Sequence, residues 1–282
     1  MLWNFIHIPI IIKMHMLPFI HIFSKSIPMY GLCIATGLVV ASVCARILTQ
    51  KEHKPFEDFI LYAVILFATG MFGAKLFFLF IQFPISEIPR QLFYAVTNKE
   101  NSASGFVFYG GIVFSIFGFI IARAITKKPI LDYLPIFSCV MPIMHGFGRL
   151  GCLCAGCCYG IPYDGFCALH YHAPISAVQR DIGIFPIQLL EAILLFILGA
   201  ILIIGRQKKK PIFNNDVLIL FAYLIPYAII RFFLEFLRGD RERGTILIFS
   251  TSQFISIMVV IVSVIFIIFA QSKNIYKEKK IA

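Results

Sequence analysis

Apolar residues along this chain neither alternate nor recur at a helical period; they come in nearly unbroken runs separated by short polar groups. The first clear run extends from Ile27 to Leu48, and others follow at about 56–81, 105–125, 131–148, 186–205, 216–237 and 248–270. A helix needs about 20 residues to cross a hydrocarbon core of roughly 30 Å, so each run is a candidate span. The pattern predicts an all-α membrane protein of about seven transmembrane helices. Residues 1–26 are apolar too, but His7, His15 and His21 interrupt them and no small-residue cleavage site follows. They are expected to lie in the membrane interface rather than to form a cleaved signal peptide. Residues 27–270 then make the polytopic domain, and 271–282 a basic tail. The sequence carries no internal repeat, which lowers the case for an inverted-repeat transporter.

Composition sharpens this picture. Hydrophobic residues make up 60% and charged residues 14% of the 282 residues, against an apolar share of about 45–50% in soluble domains. The net charge of +11 does not indicate nucleic-acid binding, because the basic residues sit in short groups between the runs, as cytoplasmic loops of membrane proteins do. Arg46, Lys51 and Lys54, then Arg123, Lys127 and Lys128, then Arg206 with Lys208, Lys209 and Lys210, and finally Lys273, Lys277, Lys279 and Lys280 fall on one side. This predicts the N-terminus outside and the C-terminus in the cytoplasm. Arg238, Arg241 and Arg243 fall on the outer side, partly balanced by Glu235, Asp240 and Glu242. The loops at 84–104, 149–185 and 238–249 then share the external face.

Three polar stretches fall on that face. Residues 144–160 hold His145, Arg149, five glycines and four cysteines between apolar flanks. A guanidinium at the edge of hydrocarbon needs an anion, a carbonyl or a wet cavity, and marks a functional candidate. The bland alternative is a glycine-rich membrane turn. In the second stretch, Arg231, Glu235 and Arg238 are spaced to lie along one helical face. Two arginines can hold a phosphate while a carboxylate orients one of them, or the three can be an internal salt bridge that locks helices. The third stretch places Tyr109 before Gly110 and Gly111. It and Tyr30, at the start of the first span, are either hydrogen-bond donors to a headgroup or interfacial anchors. Lys75, Gln188 and Glu191 are further intramembrane polar groups, expected to be mainly structural.

The cysteines are uneven. Cys33, Cys44 and Cys139 lie in apolar runs, whereas Cys152, Cys154, Cys157, Cys158 and Cys167 cluster, with His170 and His172 close behind. Soft ligands of this kind suit zinc, copper or an iron–sulfur cluster. The spacing matches no standard zinc pattern, however, and adjacent Cys157 and Cys158 point apart on any regular backbone. Packing residues are the favoured reading, then a disulfide, then a metal; no metal or other cofactor is assigned.

Taken together and in this order, the stretches resemble the prolipoprotein diacylglyceryl transferase family. The resemblance runs from Tyr30-Gly31-Leu32 through Gly110-Gly111, Gly148-Arg149-Leu150-Gly151, Gly156, Gly160, Pro186 with Gln188 and Glu191, and Arg231 with Glu235-Phe236 and Arg238, to Gln253. It implies a seven-helix enzyme of the bacterial cytoplasmic membrane that moves the diacylglyceryl group of phosphatidylglycerol onto the lipobox cysteine of a prolipoprotein signal peptide. Glycerol phosphate leaves and a thioether forms. It also implies Arg149, Arg231 and Tyr109 as catalytic residues, and Tyr30, Arg149, Gly160, Arg231 and Glu235 as phospholipid-binding ones. Two positions depart from the family: Tyr109 stands where a histidine is usual, and Cys152 where an asparagine is. A phenol of ordinary pKa, about 10, accepts a thiol proton poorly unless a cation lowers it. Glu235 and His145 are substitute bases. The alternatives are a relative that lipidates another acceptor, a Cys/His-dependent membrane metal or redox protein, and a non-catalytic scaffold.

Overall fold

The computed structural model describes residues 18–22, 25–97, 107–127, 130–171, 182–240, 245–246 and 248–272. Several sequence features fall outside these residues: the first 17 positions, Lys128, His172, Arg241, Glu242, Arg243 and the lysines of the tail. Among the described residues a hairpin, β1 (Phe19–Ile22) and β2 (Lys25–Pro28), precedes the helices. These are α1 (Met29–Lys51), α2 (Phe56–Gln82), α3 (Ile88–Thr97), α4 (Phe108–Thr126), α5 (Leu134–Ala155), α6 (Ile187–Gln207), the short α7 (Pro211–Asn214), α8 (Leu218–Leu234) and α9 (Thr251–Ser272). A second pair of strands, β3 (Thr245–Ile246) and β4 (Phe249–Ser250), leads into α9.

Six of these helices are long and apolar enough to cross a bilayer, and a seventh apolar segment covers Val113–Thr126 in α4. The chain is a multi-pass, all-α membrane protein, as the apolar runs predict. Apolar side chains remain on the outer faces, among them Val39, Val43, Ile201 and Ile268. In lipid such exposure costs nothing, because the solvent is itself apolar. The described part of the N-terminal stretch forms an antiparallel hairpin in which Phe19 pairs with Pro28 and Ile22 with Lys25, and the first helix opens at Met29 rather than Ile27.

The chain divides into two compact units, Met1–Lys51 with Leu134–Ala282, and Glu52–Tyr133. In the smaller unit α2 packs along α4. A Cβ added at Gly110 would come within 2.6 Å of Phe77 Cβ, so the absence of a side chain sets how closely these helices approach. Lys75 lies in this unit with its ammonium 5.3 Å from the centroid of the Phe78 ring. The Tyr133 hydroxyl donates to the Pro55 carbonyl at 3.0 Å and the ring meets Tyr62 edge-on.

The larger unit is built on α5, which packs against α1, α6 and α8, while α9 covers α8. Beyond α5 the chain crosses the end of this bundle in extended form. Ile161 N donates to Leu237 O, Gly239 N to Tyr159 O and Phe185 N to Ile161 O, at 3.0, 3.0 and 2.9 Å. The end of α5, the entry to α6 and the exit from α8 are thereby tied together. Leu153, Leu169, Tyr171 and Ile184 form the buried apolar cluster beneath this cap.

Candidate active site

Polar residues from three helices of the larger unit meet inside it. From α5 come His145 and Arg149, four apart and so on one face. From α6 come Gln188 and Glu191, each 1% exposed. From α8 come Tyr227 and Arg231, also four apart, with Glu235 one turn further on. Burial of such groups is expensive unless each is answered.

Arg149 and Glu191 form an ion pair, Nε 3.0 Å from Oε2, outside hydrogen-bonding geometry. The Tyr227 hydroxyl donates to Glu191 Oε1 at 3.4 Å and lies 3.3 Å from His145 Nε2. With the proton on Nε2, the imidazole donates to the same hydroxyl; the two rings meet edge-on at 4.7 Å. Arg231 faces Glu235 with Nη2 2.5 Å from Oε2, and donates from the same nitrogen to Ser252 Oγ at 3.0 Å. Its Nη1 is buried without a hydrogen-bond partner. Each arginine thus has its own carboxylate, yet neither has its donors fully used. Arg149 meets Glu191, Glu191 accepts from Tyr227, and Arg231 follows Tyr227 by one turn of α8. Arg149 and Arg231, far apart in sequence, therefore converge on one polar group. The arrangement offers two cations and an orphan N–H donor in a poorly solvated place, which suits a phosphate.

The expectation that Arg231, Glu235 and Arg238 lie along one helical face holds only in part. Arg231 and Glu235 pair as expected, but the helix tightens to a 3-10 turn at Glu235–Leu237 and the backbone is extended at Arg238. Arg238 consequently turns to Asp240, donating from Nε at 2.8 Å and from Nη2 at 2.6 Å, and stands 3.9 Å from Glu235. Burial works against its charge, but the two bonds to Asp240 outweigh it and raise the pKa. Gly160 bridges to Arg238 across the extended cap, where a Cβ would overlap the Phe185 carbonyl. Tyr30, in the first turn of α1, lays its ring on Gly151, whose added Cβ would fall 2.9 Å from ring Cδ2. Tyr109 begins α4 in the smaller unit, and its side chain is outside the described residues.

None of the eight cysteines is in a disulfide. Cys152, Cys157 and Cys158 bring their Sγ atoms within 4.8 Å of one another. The expectation that Cys157 and Cys158 diverge is corrected, because the backbone there is not regular. Gly156 has φ 71° and Cys158 φ 58°, both left-handed. Gln188 Nε2 braces the turn by donating to the Cys157 carbonyl at 2.9 Å. A hydrogen bond with Cys152 lowers the Cys157 pKa, but a bond with Cys158 and burial outweigh it, pushing the thiol up to about 11. Burial likewise raises the pKa of Tyr171, which donates to the Leu153 carbonyl at 3.2 Å. The residues that sequence reasoning missed are Tyr227 and Ser252. Tyr227 had a signal: Tyr227, Arg231 and Glu235 recur every four residues.

Comparison with known proteins adds an independent finding. A family model described as prolipoprotein diacylglyceryl transferase matches residues 18–269. Phosphatidylglycerol--prolipoprotein diacylglyceryl transferase 2 of Clostridium perfringens is 32% identical, over 85% of this chain and 90% of its own length. A Clostridium tetani phosphatidylglycerol--prolipoprotein diacylglyceryl transferase is 31% identical over 86% and 93%. A Helicobacter pylori protein of that name is 28% identical over 89% and 91%.

Proposed function

Since the chain belongs to the prolipoprotein diacylglyceryl transferase family, we propose that it transfers the diacylglyceryl group of phosphatidylglycerol to the lipobox cysteine of a prolipoprotein. This is the first step of lipoprotein maturation. The cysteine sulfur forms a bond to the glyceryl carbon that carries the phosphate ester. The carbon–oxygen bond breaks with its electrons on oxygen, glycerol phosphate leaves, and the thiol proton goes to a base or to solvent. Arg149 and Arg231 bind the headgroup phosphate and stabilise the charge that grows on it. Preorganised donors aimed at developing charge are often the largest single catalytic contribution.

The observation that carries this assignment is the chain Arg149–Glu191–Tyr227 leading onto the helix of Arg231, whose Nη1 is buried and unpartnered. Glu191 and Glu235 hold the two arginines for the phosphate, and an incoming lipid phosphate supplies the acceptor that Nη1 lacks. An apolar groove between α8 and α9, lined by Ala228, Phe232 and Val260 among others, offers an acyl chain a seat on the same helix as Arg231. Tyr30 and Gly160 complete the headgroup surface. The resemblance to the family assigns Tyr109, which stands where a histidine is usual, as a third catalytic residue. Glu235, engaged by Arg231, is poorly placed to act as the base.

The membrane in question is the bacterial cytoplasmic membrane, with the site at its outer half, the N-terminus outside and the basic tail inside. Residues 27–270 act as one catalytic domain, flanked by an interfacial segment and that tail. The direct test is to incubate the purified protein with phosphatidylglycerol and a lipobox peptide and weigh the peptide. Gain of one diacylglyceryl mass on the cysteine is expected; an unmodified peptide, or gain of the mass with another phospholipid alone, overturns the assignment.

A further inference from the structure

The thiol cluster is unexplained by phosphate chemistry. Cys152 lies on the last turns of α5, three residues after Arg149, and Cys157 and Cys158 return to it through the left-handed turn at Gly156 and Cys158. A left-handed backbone is disfavoured for a residue other than glycine and persists where the surroundings impose it. Here it aims two neighbouring thiols at a third. Three Sγ atoms within 4.8 Å of one another need little adjustment to surround a zinc ion, since Zn–S bonds of about 2.3 Å put sulfurs on the order of 4 Å apart. Cation charge is also close by. Arg149 lies about one turn before Cys152 on α5, and Arg238 pairs across the cap with Gly160, two residues beyond Cys158. Among the described residues no fourth cysteine, histidine or carboxylate joins the group.

We propose that Cys152, Cys157 and Cys158 bind one Zn²⁺ through three thiolates, and that the fourth position receives the acceptor cysteine of the substrate. This rests on the transfer reaction proposed above. Three protein ligands with one open position are the pattern of catalytic rather than structural zinc, and a thiol that coordinates the ion gives up its proton. That proton goes to solvent. One sulfur electron pair then forms the bond to the glyceryl carbon, the carbon–oxygen bond breaks toward the phosphate held by the arginines, and no oxidation state changes. The thioether product is neutral and a weaker zinc ligand than a thiolate, so it leaves and reopens the position. Four thiolates on Zn²⁺ carry two net negative charges, which makes the bound sulfur strongly nucleophilic, and Arg149 and Arg238 offset them. Zinc would thus supply the thiol activation that a phenol at position 109 performs poorly.

The test uses the full chain purified in detergent, with reductant and without chelator. One zinc per chain is expected in the wild type and in Cys33→Ser. It is lost in Cys152→Ser and in the Cys157→Ser/Cys158→Ser pair. With Co²⁺ in place of zinc, a thiolate-to-cobalt charge-transfer band is expected. It should grow when a lipobox peptide is added, and stay unchanged with the same peptide carrying serine. Chelation should lower transfer at least about a hundredfold, with recovery on adding Zn²⁺. Wild-type protein without zinc, zinc retained by all the cysteine variants, or full transfer by metal-free protein would each overturn the zinc site while leaving the transferase assignment intact. A cobalt band that responds to the cysteine peptide without any transfer would support the site and refute the transferase assignment instead.

Discussion

Tyr227 donates its hydroxyl proton to Glu191 across the α8–α6 interface, at 3.4 Å. Glu191 is also the carboxylate that faces Arg149. One phenol thus connects α8, which carries Arg231, to the ion pair that holds the arginine of α5. The two cations keep separate carboxylates, Glu191 and Glu235, and the Tyr227–Glu191 hydrogen bond ties the helix of one to the ion pair of the other.

Tyr227→Phe keeps the ring and removes this link. It leaves Glu191 Oε1 and His145 Nε2 short of a partner, at a cost of about 1–2 kcal/mol in stability. Transfer should fall by roughly tenfold as the arginines lose their mutual placement. Thermal unfolding in detergent and initial transfer rates check the two parts. Unchanged values for both would show that the hydroxyl is incidental.

Glu191→Gln removes the charge that answers Arg149 while keeping the volume. Breaking a buried ion pair from one side leaves an uncompensated charge and costs about 3 kcal/mol or more. The unfolding midpoint should drop well below that of Tyr227→Phe. Saturating phosphatidylglycerol should recover part of the loss, because a bound phosphate replaces the missing anion. Failure of the lipid to protect this variant, while it protects wild type, would separate Arg149 from the headgroup.

Gly160→Ala tests the cap. A methyl group there meets the Phe185 carbonyl, so the backbone at Gly160 or Phe185 must shift. A backbone shift of this kind costs about 1–3 kcal/mol. Both stability and transfer should decline, and a variant as active as wild type would show that the cap does not position the site.

Arg231→Lys keeps the charge but loses the second nitrogen of the guanidinium fork, including the position now held by the unpartnered Nη1. Lysine cannot reproduce two-point recognition of a phosphate. The transfer rate should fall by about tenfold or more, with little change in unfolding temperature. A lysine variant with wild-type rate would mean that Arg231 acts as a point charge only.

The spans were legible because lipid requires what the sequence displays: runs such as 187–207 admit little but apolar side chains. The arginines were legible for the converse reason, as charges out of place. Their convergence was not, since nothing local relates Arg149 to Glu191 on another helix. The turn of Arg238 to Asp240 was hidden for a different reason: spacing assumes a helix that in fact ends at Leu234. The approach of Cys157 and Cys158 depends on a left-handed cysteine, which composition does not reveal, although Gly156 just before it was a hint. The hairpin at Phe19–Pro28 was obscured by a hydropathy reading insensitive to strand pairing.

The central claim is that Arg149 and Arg231 serve one phosphate. Single-turnover transfer from phosphatidylglycerol should be compared for wild type, Arg149→Ala, Arg231→Ala and the double variant. Each single change is expected to slow transfer by about 10²–10³-fold, and the double variant to be scarcely slower than the worse single one, because residues that act as a unit are strongly non-additive. Losses that multiply in the double variant, or a single variant that retains the wild-type rate, would contradict the account.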